Sequence, residues 1–225
     1  MTDIVQVPSL IGGYTGATLH LSIDHTEHAR RTQAGLRLAI GHGFGGLDHL
    51  MSLPTGLPVP LADLSEQQRA YVSTAPAGIC SVHGGFVTRH VVRPCRITLA
   101  AVHYDALHKL ALDSALRFTS VSACQVVVER LPRYAIDQHE LLEKFAFYGI
   151  GVSLRRADGS EETVLEPRRF RPKQHTPAAW FFAERAYDAY LLAFVEDAAG
   201  PMQFSTAGHV GSVGAAGELT LRDPR

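Results

Sequence analysis

The stretch from Gln125 to Pro167 constrains the fold more than any other part of the chain. Gln125–Arg130 (Gln-Val-Val-Val-Glu-Arg) is rich in β-branched residues and reads as a strand. Asp137–Tyr148 reads as a helix: Asp137 is the expected N-cap with Glu140 three residues on, Leu141, Phe145 and Tyr148 form a stripe, and Gly149 ends it. Ile150–Arg155 reads as a second strand, Asp158-Gly159 as a two-residue hairpin turn, and Thr163–Glu166 as a third strand. A strand–helix–strand–hairpin series of this kind buries its apolar faces in an α+β or α/β core. Glu129 closes the first strand, and Arg168-Arg-Phe-Arg-Pro-Lys173 follows the last. A polar site at the strand ends is therefore expected.

The flanking segments extend this frame. Thr18–Asp24 alternates apolar and polar residues as a half-buried strand does, and a helix is expected from Thr26 to about Ile40, stopped by the glycines of 41–46. The proline-rich run 52–62 reads as loop or linker, and Ser65-Glu-Gln-Gln68 as a capping box opening a short helix through Val72. Phe86–Arg93 and Arg96–Val102 look like strands separated by Pro94, with a helix from Tyr104 to Phe118 after them. Thr176 caps and Pro177 opens the last helix, expected to run to about Asp197, with Trp180, Ala183, Tyr187, Leu191 and Phe194 as a core-packing stripe. The expected fold is a mixed sheet built from 86–103, 124–130 and 150–166 with helices packed on it. The expected organisation is an N-terminal strand–helix lobe with its linker over 1–62, a core over 63–200, and a Gly/Ala-rich tail over 201–225. The lobe is either part of the same sheet or a small appended module.

Composition narrows the function classes. At 225 residues, 46% hydrophobic and 19% charged, the chain has the makings of a globular core. A formal net charge of −1 gives no global attraction to nucleic acid or anionic membrane, so any such contact must come from a local patch. Three cysteines without CxxC spacing fit a reduced protein with buried thiols, and the N-terminus lacks the basic-then-apolar pattern of a signal peptide. No apolar run approaches a membrane span, so a cytoplasmic protein with no membrane partner is expected.

Several motifs invite chemical readings. Among the 12 histidines, His25, His28, His42 and His49 cluster in the N-terminal lobe, but no HExxH or Cys/His framework accompanies them. Gly41-x-Gly-x-x-Gly46 lacks the helix and acidic residue of a dinucleotide site, and the glycines of 208–217 lack a Walker ending. Cys80-Ser-Val-His83 stands in no nucleophile framework. The acid-ended strand, lysine-bearing helix and following strand of 125–155 together resemble the layout of the PD-(D/E)XK nuclease core. That resemblance covers about 60 residues and lacks the E-x-K signature, since Arg130 and Leu131 follow Glu129. It implies catalytic roles for Asp113 (or Asp105), Glu129 and Lys144, with Asp113 and Glu129 holding Mg²⁺ that activates water against a phosphodiester.

The arginines supply the second half of the expectation. Arg155, Arg156, Arg168, Arg169, Arg171 and Lys173 bracket one hairpin with Phe170 among them, and its closure is expected to concentrate their charge on a phosphate backbone. The leading reading is a cytosolic, bacterial-type protein that binds or acts on nucleic acid. The alternatives are a non-catalytic scaffold or assembly subunit meeting a protein partner or a second copy, through the Trp180–Phe194 helix or the proline-rich loop, and a small-molecule enzyme using the N-terminal histidines.

Overall fold

A computed structural model describes residues 4–8, 17–38, 44–171 and 175–196. The tail beyond Glu196, Lys173 and His42 lie outside the described residues. The fold is α+β. Its main sheet has six strands in the order β1 (Ile4–Pro8), β2 (Ala17–Ile23), β6 (Cys95–Ala106), β7 (Ala123–Arg130), β8 (Gly151–Arg155) and β9 (Glu161–Leu165). The central pairs β6–β7 and β7–β8 are parallel, and the pairs towards both edges are antiparallel. Parallel neighbours need crossovers, supplied by helices α4 (Lys109–Leu116) and α5 (Ala135–Tyr148). A second sheet joins β3 (Pro58–Pro60), β5 (Phe86–Arg89) and β4 (Cys80–His83).

Strand parity decides which side chains reach the core. In β2, Leu19, Leu21 and Ile23 point inward while Thr18, His20 and Ser22 point to the other face. Cys124, Val126 and Val128 of β7 continue the inward set, as do Ile97, Ala100 and Val102 of β6. A register shift at His20/Leu21 keeps the two strands in phase across the intervening Thr98 and Leu99. α4, α5 and α6 (Pro177–Leu191) cover this face, contributing Ala111, Ala115, Phe145, Ala183 and Tyr187. The opposite face carries Gln6, Thr18, His20, His103, Gln125 and Arg155 around a polar hollow.

Local chemistry sets the helix ends. α1 (His25–Ala34) starts where Asp24 accepts the Glu27 N–H at 3.0 Å and stops at Gly35, which sits at φ 64°, well before the Ile40 expected from sequence. α3 (Glu66–Thr74) opens with the expected Ser65/Gln68 capping box. α5 begins at Ala135, so Asp137 lies in its first turn and favours the positive end of the helix dipole without capping it. α6 has Thr176 as cap and Pro177 in its first turn, as expected, and passes into a π-helical turn over Leu192–Glu196.

Further sequence expectations change. Phe86–Arg89 joins the small sheet because Gly84 and Gly85, at φ 58° and 81°, fold it back onto β4 in a tight hairpin. Tyr104 and Asp105 are strand, not helix, because the β6–β7 ladder continues through Tyr104↔Val128 to Ala106↔Arg130. Helix α4 waits for His108, whose Nδ1 accepts the Ala111 N–H. The N-terminal strand β2 lies inside the main sheet, and α1 is tied to α6 by a buried ion pair. Arg31 donates to both Glu184 oxygens, at 2.6 and 2.9 Å, and to Glu27 at 2.6 Å. Helix α2 (Phe44–Met51) packs Leu47 and Leu50 against Ile79, Val91 and Trp180 in a second cluster.

Candidate nucleic-acid interface

The hairpin forms with the expected Asp158-Gly159 turn, Gly159 taking φ 83°, and its register pairs Arg155 with Glu161. That register separates the arginines that the sequence suggested would meet. Arg155 and Arg156 stand at the turn; Arg168, Arg169 and Arg171 follow β9 at the open end, a strand length of about 13 Å away. The two groups also differ in company. Arg155 donates to Glu161 at 2.9 Å and Arg156 to Glu162 at 2.6 Å, so their charge is largely answered by the facing strand. Arg168, Arg169 and Arg171 have no carboxylate partner among the described residues.

These three arginines line a groove of about 780 Å³ together with Tyr148, Phe170 and Thr176. Its floor is the start of β7, with Thr119, Ser120 and Ser122 before it. Two glycines put the arginines there. Gly149, left-handed at φ 72°, ends α5, and a Cβ on it would stand 2.8 Å from Arg168 Cβ. A Cβ on Gly151 would meet Pro167 at 2.7 Å. The chain can therefore cross α5 closely, with the Arg168 N–H donating to Gly149 O at 2.9 Å. Tyr148 is 48% exposed beside this crossing, and Ser122, itself buried, has a hydroxyl without a hydrogen-bond partner among the described residues. Arginine forks, hydroxyl donors and an exposed ring are the groups that hold phosphates and stack bases.

The nuclease-like triad is not brought together. Glu129 is exposed at the far end of β7, about 20 Å of strand from the groove, on the sheet face opposite the helices. Asp113 is exposed on α4 and Lys144 on α5, both in the helical layer, and Lys144 is held by Glu140 at 2.6 Å. Asp113 and Glu129 thus project from different layers and do not fit a shared Mg²⁺. The carboxylate level with Glu129 is Asp105, on the neighbouring strand, with Arg155 level on the other side. Parity, not proximity in sequence, selects Asp105 over Asp113.

The N-terminal histidines also go to separate tasks. His28 Nδ1 bonds the Tyr187 hydroxyl at 2.7 Å, the His49 ring packs near Tyr71, and His25 is exposed. No group of three or more His, Cys, Asp or Glu side chains among the described residues is placed to hold a metal ion. The best-organised histidine lies elsewhere, on β6. His103 Nδ1 faces an Arg155 nitrogen at 3.1 Å and its Nε2 faces Thr18 Oγ1 at 3.0 Å. A guanidinium only donates, so Nδ1 accepts, Nε2 carries the proton, and the ring is a neutral, oriented member of the polar face. Burial, with the Arg155 charge adding to it, lowers the His103 pKa. No alternation in Leu-Ala-Ala-Val-His-Tyr-Asp (99–105) marks it; its orientation follows only once β6 is known to run to Ala106.

No helix among the described residues is long and apolar enough to cross a membrane. A scan against protein-family models finds no match, and searches of the curated proteins and of the solved structures return none.

Proposed function

We propose that the protein binds single-stranded nucleic acid in the groove at the open end of the hairpin. Arg168, Arg169 and Arg171 take the phosphates, and Tyr148 and Phe170 offer faces to the bases. The observation that carries this reading is the gathering of three arginines without carboxylate partners in one groove with two aromatic rings. The groove supports binding in place of hydrolysis, because Glu129 and Asp105 lie at the other end of the sheet. Three phosphate contacts on a single strand give a slope of log K against log salt of about −2, a loss of roughly 20-fold between 50 and 200 mM. A labelled oligonucleotide titrated across that series tests the reading; no binding at low salt, or a slope near zero, defeats it. Cleavage assays with Mg²⁺ on wild type and Glu129→Gln test the hydrolytic version separately.

A protein-partner reading draws on α5, where Ile136 is 77% and Phe147 75% exposed, eleven residues apart and so on one face of the helix. The last helix offers less, since Trp180, Ala183, Tyr187 and Leu191 are buried and it is the π-helical turn, with Leu192 45% and Phe194 50% exposed, that reaches the surface. A solution mass above that of the monomer, abolished by Ile136→Ser with Phe147→Ser, is the result this second reading requires.

A further inference from the structure

A second gathering of cations lies away from the hairpin, in a groove beside Trp180. The groove opens where β2 ends and β6 begins, encloses about 670 Å³, and is lined by Arg93, Arg96 and His175 together with Ile23, Met51 and Trp180. Next to it runs the buried ionic network of α1 and α6. Glu27 accepts from Arg30 at 2.7 and 2.8 Å and from Arg31 at 2.6 Å. Glu184 accepts from Arg31 and from the Trp180 ring N–H at 2.6 Å. Two carboxylates are thus matched by two guanidiniums before Arg93 is counted.

Arg93 is a half-buried third guanidinium with no hydrogen-bond partner among the described residues. Burial pulls its pKa below the ordinary arginine value, against the opposing influence of Cys95 and Glu184. Arg89 is a fourth cation: it donates to Leu50 O at 2.6 Å and to Thr55, and stacks over the Trp180 ring at 5.4 Å. Asp24, the one acid among the described lining residues, is occupied in capping α1. A partly desolvated guanidinium left without an anion is costly, so a fold that keeps one facing a groove is organised for an anionic ligand.

We propose that this groove binds a phosphate-bearing small molecule, its phosphate held by Arg93 and Arg96 and its apolar portion lying against the half-buried Met51. Two guanidinium forks match the several oxygens and the double charge of a phosphate monoester better than a single carboxylate does. The groove is of the size that small-molecule sites occupy. It shares no residue with the groove of Arg168, Arg169 and Arg171, so it stands independently of the nucleic-acid reading.

Trp180 is the only tryptophan in the chain and reports directly on this groove. The full chain is titrated at constant ionic strength with inorganic phosphate, a nucleoside 5′-monophosphate, and the same nucleoside without phosphate, following tryptophan emission. Both phosphate probes should give saturable changes, the monophosphate the tighter, while the bare nucleoside gives none. Arg93→Gln should abolish the response, and Arg96→Gln, at an exposed position, should weaken it at least tenfold with an unchanged melting temperature. The Arg168→Gln, Arg169→Gln, Arg171→Gln triple variant should respond like wild type. The proposal is overturned by the absence of a saturable response to both phosphate probes, by affinities unchanged in both Arg93→Gln and Arg96→Gln, or by loss of the response in the triple variant.

Discussion

Replacing Arg31 by methionine removes the centre of the network that ties α1 to α6. Arg31 is 1% exposed and makes four hydrogen bonds: two to Glu184, one to Glu27 and one to Val92 O at 2.7 Å. Glu27 keeps Arg30, but Glu184, also 1% exposed, retains only the Trp180 N–H from this network. Removing one partner of a buried pair costs about 3–5 kcal/mol because the other charge stays desolvated. At about 2–4 °C per kcal/mol for a chain of this size, the melting temperature should fall by about 6–20 °C. Adding Glu184→Gln to Arg31→Met removes the stranded charge while leaving an oxygen for Trp180. The double variant should therefore recover a large part of the loss. Urea unfolding of wild type, both single variants and the double variant measures the coupling. Additive losses, with the double less stable than Arg31→Met, would refute the reasoning.

Three further outcomes follow from the same geometry. Burial lowers the pKa of His20, His28 and His103, so the unfolded chain binds more protons than the folded one once the pH drops below about 6.5. Stability is then fully present above that value and declines as pH falls through and below it; urea midpoints between pH 8 and 5 should show the decline, and His103→Gln should make it shallower, whereas a midpoint rising towards pH 5 contradicts the assignment. Burial pushes the Cys95 and Cys124 thiols up to about 12, so both should resist a thiol reagent at pH 8 until denaturant is added, and rapid native labelling of either would show that burial wrong. Gly149→Ala forces a Cβ against Arg168 at φ 72° and should cost about 1–3 kcal/mol while weakening oligonucleotide binding. Gly159→Ala, at φ 83° with nothing within 4 Å of the added Cβ, should carry the backbone strain without the binding loss, and equal binding losses in the two would remove Gly149 from the site.

Where local chemistry dictated the outcome, the sequence was legible. Asp158-Gly159, Gly149, the Ser65 capping box and Thr176-Pro177 each act within a few residues, and each is where it was expected. What sequence could not supply was set by partners far along the chain. Arg31 meets Glu184 across 153 residues, and nothing in either helix alone announces it. The reach of β6 to Ala106 depends on β7, and it turns Asp105 from an expected helix residue into the neighbour of Glu129. The arginines show the same limit in the site: their number was plain, but the register of β8 and β9 sent Arg155 and Arg156 to one end and Arg168, Arg169 and Arg171 to the other. The proline-rich run was expected as loop, yet Pro58–Pro60 pairs with β5 as an edge strand, where a missing N–H is tolerated.

The most direct measurement compares single-stranded oligonucleotide affinity at low salt for wild type, the Arg168→Gln, Arg169→Gln, Arg171→Gln triple variant, and the Arg155→Gln, Arg156→Gln double variant. Loss of about tenfold or more in the triple variant, with the salt slope falling towards zero, and near wild-type binding in the double variant is the expected result. A triple variant that binds like wild type, or a double variant that loses more than the triple, would contradict the placement of the phosphates at the open end of the hairpin.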